Sequence, residues 1–417
     1  MRRALDLATR RSVLAGANPA AVAALIGEVR AGGDAAVRAL TARFDGVDVP
    51  NPWLDSQDLA AAWQRIDATA QAALQHAHRN VCAVARAQRE ALVDLEVEVQ
   101  PGVFIGQRWQ PVRRVACYVP GGRYPLPSTV IMTVAPAREA GVAEVVVLSP
   151  PGASGLPHDA ILAAAHIAGA DGVFIAGGAQ AVAAAAWGTS TLPAVDLLVG
   201  PGNAWVTEAK RQAFGAVGID ALAGPSEVMV LADTSADPAR VAADLLAQAE
   251  HDPEAEALLV TTDPALADAV EAALEQQLAT LSTAPIARAS LRNHGAILVV
   301  ADRAAMFDVA NRRAPEHLHL HVHDLVAAAR ACTAYGGLFV GEDSAEVFGD
   351  YCAGGNHVLP TAGAARYTAG LSVHTFLRPL ASQRLTADGA RALVAITATL
   401  ARLEGLEAHA RAAELRR

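Results

Sequence analysis

Cysteine is scarce in this chain of 417 residues, which contains four. Cys82, Cys117, Cys332 and Cys352 lie far apart, and no two of them form a Cys-X-X-Cys pair. Neither a cysteine zinc site nor a disulfide framework is therefore encoded locally. This usage fits a reducing compartment.

Charged residues are also few, at 18% of the chain, and aromatic residues make up 4%, whereas hydrophobic residues make up 53%. A chain this apolar can offset its ordering entropy, so disorder is excluded and a large core with a buried subunit interface is expected. The formal net charge of −10 excludes nucleic acid and anionic membrane as main partners. The length predicts two to three domains of about 150 residues each.

Long hydrophobic runs are missing as well. The longest apolar tract, residues 173–187, is interrupted by two glycines and Gln180 and is too short to span a bilayer. Arg10-Arg11 suggests a twin-arginine export signal, but the apolar stretch after it is broken by Asn18-Pro19, a helix cap followed by a first-turn proline. We therefore expect a cytoplasmic protein.

The first hundred residues have the spacing of helices, and the later part alternates between two patterns. Residues 19–43 and 57–98 carry apolar positions three and four apart, which predicts amphipathic helices. From residue 112 onward, short apolar runs alternate with helical segments, which indicates parallel sheets covered on both faces. The runs are residues 145–148, 173–175, 195–199, 228–231, 258–260, 297–300, 318–322 and 338–340.

Eight such runs are more than one small sheet needs, so we expect two α/β domains. One boundary is predicted near Ala223-Gly224-Pro225, where a tight turn joins the third and fourth runs. Residues 386–417 are again purely helical and have no strand partner of their own. A terminal amphipathic helix of this kind often packs on another subunit.

Three glycine-containing loops follow predicted strands, where ligands bind in such folds. Gly200-Pro201-Gly202-Asn203 leads into a helix that Asn203 caps, and the free N–H groups of a helix start suit a phosphate. Gly177-Gly178 and Tyr118-Val119-Pro120-Gly121-Gly122 are similar loops. Each alone is ordinary turn chemistry, but three together favour a nucleotide-like ligand.

Two pairs of polar residues have spacings suited to metal binding or catalysis. Gln248 and His251 are three apart near a helix end, so they could share a face as metal ligands, or His251 could simply favour the helix dipole. Glu316-His317 follows Pro315 where a helix gives way to a strand. An adjacent carboxylate and imidazole can divide acid–base work, although a solvated turn would look the same.

Other histidines and acids allow two interpretations each. His317, His319, His321 and His323 alternate on one strand face and could bind metal, but such neighbours diverge, and the solvent-facing side of an edge strand explains them as well. Asp350 is a possible zinc ligand in a glycine-rich segment, and His357 is either functional or a satisfied loop residue. Glu404 and His409 flank Gly405 on the tail, where polar residues usually serve solubility.

Taken in order and spacing, these segments resemble the histidinol dehydrogenase family. The resemblance runs from about residue 25 to the C-terminus. The matching motifs are Tyr118-Val119-Pro120-Gly121-Gly122, Gly200-Pro201-Gly202-Asn203, Ala223-Gly224-Pro225-Ser226-Glu227, Gln248-Ala249-Glu250-His251, Ala314-Pro315-Glu316-His317, Asn356-His357-Val358-Leu359-Pro360-Thr361 and Glu404-Gly405-Leu406.

The resemblance implies an α/β homodimer of two Rossmann-like parallel-sheet domains with a helical, domain-swapped C-terminal tail. We expect residues 1–111 and 227–380 to form the first domain, 112–226 the NAD-binding domain, and 381–417 the tail. The implied activity is NAD-dependent, zinc-binding oxidation of a small alcohol to an aldehyde and then to an acid. In this family the substrate is L-histidinol and the product L-histidine, made in the last two steps of histidine biosynthesis.

The resemblance also implies roles for individual residues. The implied zinc ligands are Gln248, His251, Asp350 and His409 of the partner subunit. The implied acid–base pair is Glu316 and His317. Substrate contacts would come from Ser226 and Glu404 together with the metal ligands and His317. The NAD site would be lined by Tyr118, Gln180 and Asn203. Under this interpretation the alternating histidines are not a metal site.

Some positions depart from the pattern of the family. They are Ala116-Cys117, Arg123-Tyr124-Pro125, Leu197 and His319. Two alternatives therefore stay open. One is a paralogous zinc- and NAD-dependent dehydrogenase of another small alcohol, such as a sulfonated diol, although Ser226-Glu227 and Glu404 keep the form expected for an amino alcohol. The other is a non-catalytic nucleotide-binding protein with a degenerate metal site.

Overall fold

The computed structural model of the chain describes residues 16–121 and 124–417. Arg10-Arg11 and the pair Gly122-Arg123 lie outside the described residues. The first helix begins where the sequence predicts, because the Asn18 side chain accepts hydrogen bonds from the backbone N–H groups of Ala20 and Ala21. No helix within the described ranges is long and apolar enough to cross a membrane.

The first half of the chain holds seven helices and eight strands within the described residues. They are α1 (Pro19–Asp45), β1 (Trp53–Leu54), α2 (Ser56–Arg65), α3 (Ala68–Glu90), β2 (Leu95–Gln100), β3 (Val103–Pro111), β4 (Arg114–Tyr118), α4 (Pro127–Glu139), β5 (Glu144–Ser149), α5 (Asp159–Ala168), β6 (Gly172–Ile175), α6 (Gly178–Trp187), β7 (Leu197–Val199), α7 (Ala204–Ala213) and β8 (Gly218–Ile219).

The second half continues the alternation and ends in two helices. Its elements are β9 (Glu227–Ala232), α8 (Pro238–Ala249), β10 (Glu256–Thr261), α9 (Pro264–Leu278), α10 (Ala284–Asn293), β11 (Ala296–Val299), α11 (Arg303–Arg313), β12 (His317–His321), α12 (Leu325–Ala331), β13 (Gly337–Val340), α13 (Glu346–Tyr351), β14 (Leu377–Leu385), α14 (Ala387–Leu403) and α15 (Glu407–Glu414). Two short 3₁₀ turns lie between α13 and β14.

The predicted mixed α/β fold with parallel sheets is confirmed. The first sheet has the order β1-β6-β5-β4-β7-β8, in which β4 to β8 run parallel and β1 pairs antiparallel with β6 at the edge. The second has the order β11-β10-β9-β12-β13 and is parallel throughout. All eight apolar runs overlap strands of these two sheets, because buried parallel strands are apolar along most of their length.

A third, antiparallel sheet with the order β14-β3-β2 is not predicted from the sequence. The prediction of helix through residue 98 is wrong, because α3 ends at Glu90 and β2 follows at Leu95–Gln100. In β2, apolar and polar side chains alternate with the period of two that is typical of a half-exposed strand. The strand was not predicted because its short alternating pattern directly follows a long segment with helical spacing.

The N-terminal helices pack on the helices of the first sheet. Helix α1 contacts α6 and α7, α2 contacts α5, and α3 contacts α4. Their apolar side chains join the two hydrophobic clusters on either side of that sheet. By these contacts the three helices pack against residues 112–226, and α3 also contacts the second 3₁₀ turn, Val373–Phe376, and the Cys352 carbonyl.

The C-terminal tail is helical, as the sequence predicts. Helices α14 and α15 pack against each other around Gly405, which takes the left-handed conformation with φ of 75°. Ala398, Ala401 and Ala410 form a small apolar cluster between them. Helices α14 and α15 therefore pack against each other through these alanines at the end of the chain.

Candidate active site

A cavity of about 840 Å³ lies between the two parallel sheets. The first sheet supplies the loops at the carboxyl ends of its strands, including Pro120-Gly121, Gly177-Gly178 and residues 201–204. The second sheet supplies residues at the amino ends of its strands, including Ser226 before β9 and Glu316 before β12. The two sheets thus face the same space from opposite strand ends.

Glu316 and His317 are positioned by the break between α11 and β12. Helix α11 ends at Arg313, Pro315 prevents its continuation, and His317 begins the strand. The backbone of Glu227 on β9 contacts both side chains. Its N–H donates to Glu316 Oε2 at 2.8 Å, and its carbonyl oxygen lies 3.0 Å from His317 Nδ1.

The backbone contact of His317 fixes which ring nitrogen faces the cavity. Because the Glu227 carbonyl can only accept, His317 Nδ1 donates, and Nε2 is left to point towards the cavity. Within the described residues, Nε2 has no hydrogen-bond partner, and Asp350 Oδ1 lies 3.6 Å from it. This nitrogen is therefore free to exchange a proton with a bound ligand.

The charges around His317 form a tightly buried cluster. Burial raises the pKa of Glu316 to about 8. Burial also raises the pKa of Glu346, on α13, to about 8. Burial alone would lower the pKa of His317, but Glu346, Glu316 and Asp350 together raise it well above its usual value. The cluster thus holds protons that side chains in water would lose at lower pH.

Three of the four expected zinc ligands line the cavity: Gln248, His251 and Asp350. The Gln248 amide is fully buried, and neither of its polar atoms has a hydrogen-bond partner in the part of the chain that the structure describes. His251 Nδ1 lies 2.9 Å from the Ala247 carbonyl, which can only accept, so Nε2 keeps its lone pair. Metal-binding histidines commonly have this arrangement.

Asp350 completes the local donor set. Burial would raise its pKa, but His317, His357 and His251 lower it overall, so Asp350 carries a negative charge. A buried orphan amide, an imidazole lone pair and a carboxylate are donors that zinc accepts. The residues present therefore fit the metal that the sequence suggests. His251 lies just beyond the end of α8 rather than on it.

Glu404 and His409 are not brought to this cavity within one chain. Both are exposed on the tail, and the described residues that line the cavity do not include them. Their expected contributions from a partner subunit stay predictions.

The expected NAD residues lie at the first sheet. Tyr118 is buried and lines the cavity, and its hydroxyl accepts a 3.1 Å hydrogen bond from the Gly178 N–H. Asn203 also lines the cavity, and its side chain caps α7 by accepting from Trp205 and Val206. Gln180 is buried in α6 but is not among the described residues that line the cavity.

The Gly200 loop is held by two residues that the sequence did not reveal. Lys210 Nζ donates to the Gly200 carbonyl at 3.0 Å and pairs with Asp220, whose other oxygen accepts from the Gly200 N–H at 2.7 Å. Lys210 was missed because a lysine on a short helix usually faces solvent. Glu346, which lies beside His317, was missed for the same reason. His357, left open from sequence, contacts Thr129 and the Asp350 carbonyl.

The solvent-facing explanation is wrong for His317, His319 and His321, whereas His323 lies beyond β12 and is exposed. Strand β12 lies between β9 and β13, and all five of its residues are buried. His319 and His321 therefore lie inside the protein, beneath α8, where Asp244 contacts both.

The chain is similar to known proteins over nearly its whole length. A family model described as histidinol dehydrogenase matches residues 9–417. The histidinol dehydrogenase of Rhizobium meliloti (strain 1021) is 47% identical over 412 residues, covering 98% of this chain and 94% of that protein. The histidinol dehydrogenase of Xylella fastidiosa (strain Temecula1) is 46% identical over 398 residues, covering 95% and 92%. The crystal structure of histidinol dehydrogenase from Elizabethkingia anophelis superposes with a TM-score of 0.92 at 34% identity, covering 98% and 94%.

Proposed function

The chain belongs to the histidinol dehydrogenase family, and from this premise we propose that it oxidises L-histidinol through histidinal to L-histidine in histidine biosynthesis. It is an NAD-dependent, zinc-binding oxidoreductase of this type. The observation that carries the residue assignments is the arrangement of Glu316 and His317 on the Glu227 backbone, in the same cavity as Gln248, His251 and Asp350.

His317 is assigned as the base of the alcohol step. A hydroxyl as weakly acidic as water, with a pKa of about 15.7, lies about nine units above an ordinary histidine, so unassisted proton transfer would cost about 12 kcal/mol. The carboxyls around His317 raise its pKa, so its unprotonated form is a stronger base and the pKa gap to the hydroxyl is smaller, while a smaller fraction of the ring is unprotonated at neutral pH. Its Nε2 takes the hydroxyl proton while the carbon-bound hydride leaves.

Glu316 is assigned to the aldehyde step, in which a water adds to the carbonyl carbon. Its carboxylate accepts a proton from that water, and the raised pKa makes it a stronger base than an exposed glutamate. Each step releases one hydride, so the two steps together reduce two NAD molecules. The hydrogen bond from the Glu227 N–H keeps one oxygen fixed, which orients the other.

Gln248, His251 and Asp350 would hold the zinc ion. Zinc when bound supplies a positive charge that orients the substrate or acidifies its hydroxyl. NAD when bound accepts the hydride, and Tyr118 with the Gly200 loop would position it, while Gln180 remains an expected neighbour. Ser226 lines the cavity beside Glu316 and His317, here called the dyad, and is proposed as a substrate contact.

The rest of the site is proposed to come from a second copy of the chain. Leu400 and Leu403 on α14 are 57% and 79% exposed, which is unusual for apolar residues of a packed helix. A homodimer with swapped tails would cover them. It would also bring Glu404 to the substrate and the partner subunit's His409 to the zinc. The cytoplasmic location and the division into residues 1–111 with 227–380, 112–226 and 381–417 remain part of this proposal.

The alternative of another small alcohol is not favoured. Ala116, Cys117 and Leu197, which depart from the family pattern, are buried strand residues in the apolar clusters of the first sheet. The cavity lining among the described residues includes none of them. Their changes therefore concern core packing and leave the substrate contacts as they are.

The proposal is tested with purified zinc-loaded enzyme and L-histidinol. We expect two NADH formed for each L-histidine produced, and rescue of a histidine auxotroph that lacks this step. A sulfonated diol serves as the competing substrate. NADH formation from the diol but not from L-histidinol would overturn the proposal.

A further inference from the structure

The second sheet contains a buried group of nitrogen and oxygen donors away from the dyad. His319 Nδ1 and His321 Nε2 lie 3.0 and 2.9 Å from the same oxygen, Asp244 Oδ2, and 3.3 Å from each other. Both histidine side chains are fully buried, and the Asp244 side chain is 11% exposed. Three donor atoms therefore surround one point.

The outer nitrogens of the two rings determine where their protons lie. His319 Nε2 is 3.1 Å from the Gly341 carbonyl, which can only accept, so this nitrogen carries a proton. His321 Nδ1 faces Glu342 Oε1 at 3.8 Å and has no hydrogen bond within the described residues. A proton on Nδ1 would point at that carboxylate. Each ring can then direct a lone pair inward.

Inward lone pairs on both rings and a carboxylate oxygen between them repel one another unless a cation lies there. The positive charge is supplied either by a proton on His319 Nδ1 or His321 Nε2, or by a metal ion. A proton moved to His321 Nε2 would leave the Nδ1 atom of that ring buried with no hydrogen-bond partner among the described residues. Two imidazoles with outer N–H groups aimed at a carbonyl and a carboxylate, plus one carboxylate ligand, match the usual surroundings of a protein-bound transition metal. A tetrahedral zinc site with bonds of about 2.0–2.1 Å separates its donors by about 3.3 Å, near the spacings seen here.

We propose that Asp244, His319 and His321 form a second site for a divalent transition-metal cation such as Zn²⁺, at the carboxyl end of the five-stranded sheet. A water molecule would complete four-coordination. The expected histidinol dehydrogenase zinc site uses other residues, Gln248, His251 and Asp350, at the opposite end of the same strands.

The two sites use different residues, and they are also separated in space. The Phe339 ring packs against the rings of both His317 and His319, with centroids 5.9 and 6.0 Å away. His317 and His321 are four residues apart on β12, which corresponds to roughly 13 Å. Asp244 and Gln248 lie one turn apart on α8. A metal bound at Asp244 would therefore fasten α8 to β12 next to the dyad.

Metal content of the full-length protein tests the proposal. After chelation and dialysis against Zn²⁺, wild type is expected to hold two zinc ions per chain. Asp244→Asn, which keeps the side-chain volume, is expected to hold one. Asp343→Asn, at an acid on the same side of the sheet with a 96% exposed side chain, is the matched control and is expected to hold two. Equal zinc content in wild type and Asp244→Asn would overturn the proposal.

Cobalt binding separates this site from the catalytic one. In Asp350→Asn, which lacks one expected catalytic zinc ligand, titrated Co²⁺ is expected to give the visible absorption of a four-coordinate ion that Asp350→Asn with Asp244→Asn lacks. Glu342→Gln in the Asp350→Asn background is expected to weaken Co²⁺ binding about 10–100-fold. Identical titrations with and without Asp244 would contradict the proposal, whatever the activity towards histidinol.

A crystal of wild type soaked in Zn²⁺ gives a test that needs no variant. An anomalous peak within bonding distance of Asp244 Oδ2, His319 Nδ1 and His321 Nε2 is expected. No peak there in a crystal that binds zinc at Asp350 would overturn the proposal.

Discussion

Glu316 accepts a 2.8 Å hydrogen bond from the main-chain N–H of Glu227, the first residue of the neighbouring strand. The carbonyl of the same residue accepts from His317 Nδ1. Both Glu316 and His317 are thus oriented by the backbone of Glu227. Because a backbone group has no side-chain rotamers, holding the dyad in place costs no side-chain entropy at this partner. This pre-organisation lets the carboxyl and the imidazole act on one small volume without rearranging.

The two dyad residues are expected to separate the two oxidation steps. Glu316→Gln keeps the hydrogen bond to the Glu227 backbone but removes the base, so the aldehyde step should slow about 10²–10⁴-fold while the alcohol step is largely spared. His317→Asn should slow both steps. Stopped-flow detection of NADH, starting separately from histidinol and histidinal, measures each step. Equal losses in both steps for Glu316→Gln would contradict this division.

The rate of the aldehyde step should rise with pH. Because burial raises the pKa of Glu316 to about 8, most of its carboxyl groups are protonated at neutral pH and cannot act as a base. Raising the pH increases the ionised fraction, so the rate should increase and level off above about pH 8. In Glu316→Gln, the part of the pH dependence that comes from ionisation of Glu316 should be absent, while any pH dependence that comes from His317 should remain. A wild-type rate that is flat between pH 6 and 9 would argue against Glu316 as the base.

A buried ion pair beneath the cavity should contribute strongly to stability. Arg313, at the end of α11, pairs with Glu256 and lies 3.8 Å from Glu227, and all three side chains are less than 8% exposed. Arg313→Met leaves buried carboxylates without their partner and should lower the free energy of unfolding by about 3–5 kcal/mol. The neighbouring Arg312 pairs with Asp308 at the surface, so Arg312→Met should cost less than about 1 kcal/mol. Urea unfolding of both variants measures the two losses. Equal decreases in the free energy of unfolding would show that the buried ion pair contributes no more to stability than the surface pair.

The Gly200 loop should not tolerate a side chain. Gly200 has φ of 110°, and a Cβ there would lie 2.2 Å from the Tyr118 carbonyl oxygen. Gly215 has φ of 103° but open space around it, so Gly215→Ala controls for backbone strain alone, about 1–2 kcal/mol. Gly200→Ala should raise the KM for NAD and lower the melting temperature more than Gly215→Ala does. Similar KM values for NAD in the two variants would show that the Gly200 loop does not contribute to NAD binding.

Much of the fold follows from local sequence patterns. The eight apolar runs are strands because a strand buried on both faces needs apolar residues on both sides. Strand β4 was missed although it lies mid-sheet, because Arg114-Val115-Ala116-Cys117-Tyr118 is short and mixed in character. The sheet of β2, β3 and β14 joins segments more than 260 residues apart, and no local pattern specifies such a pairing.

The site was predictable where residue types are unusual for their position. Glu316-His317 after a proline and Gln248 with His251 stood out and line one cavity. Glu346 did not stand out, since its role depends on being buried beside His317, which only the tertiary structure shows. The direction of the second sheet, which presents the amino ends of its strands, was likewise not encoded locally.

We propose that each active site combines the body of one subunit with the tail of another. Mixing unfolded Glu316→Gln and His409→Asn chains and refolding them together tests this arrangement directly when activity is measured as L-histidine formed from L-histidinol. Each homodimer should be nearly inactive in that complete reaction. With swapped tails, one site in each mixed dimer regains every wild-type residue, and random pairing predicts about a quarter of wild-type activity. If the tail serves its own chain, both sites of the mixed dimer stay defective, and activity no higher than that of the separate variants would contradict the swapped-tail arrangement.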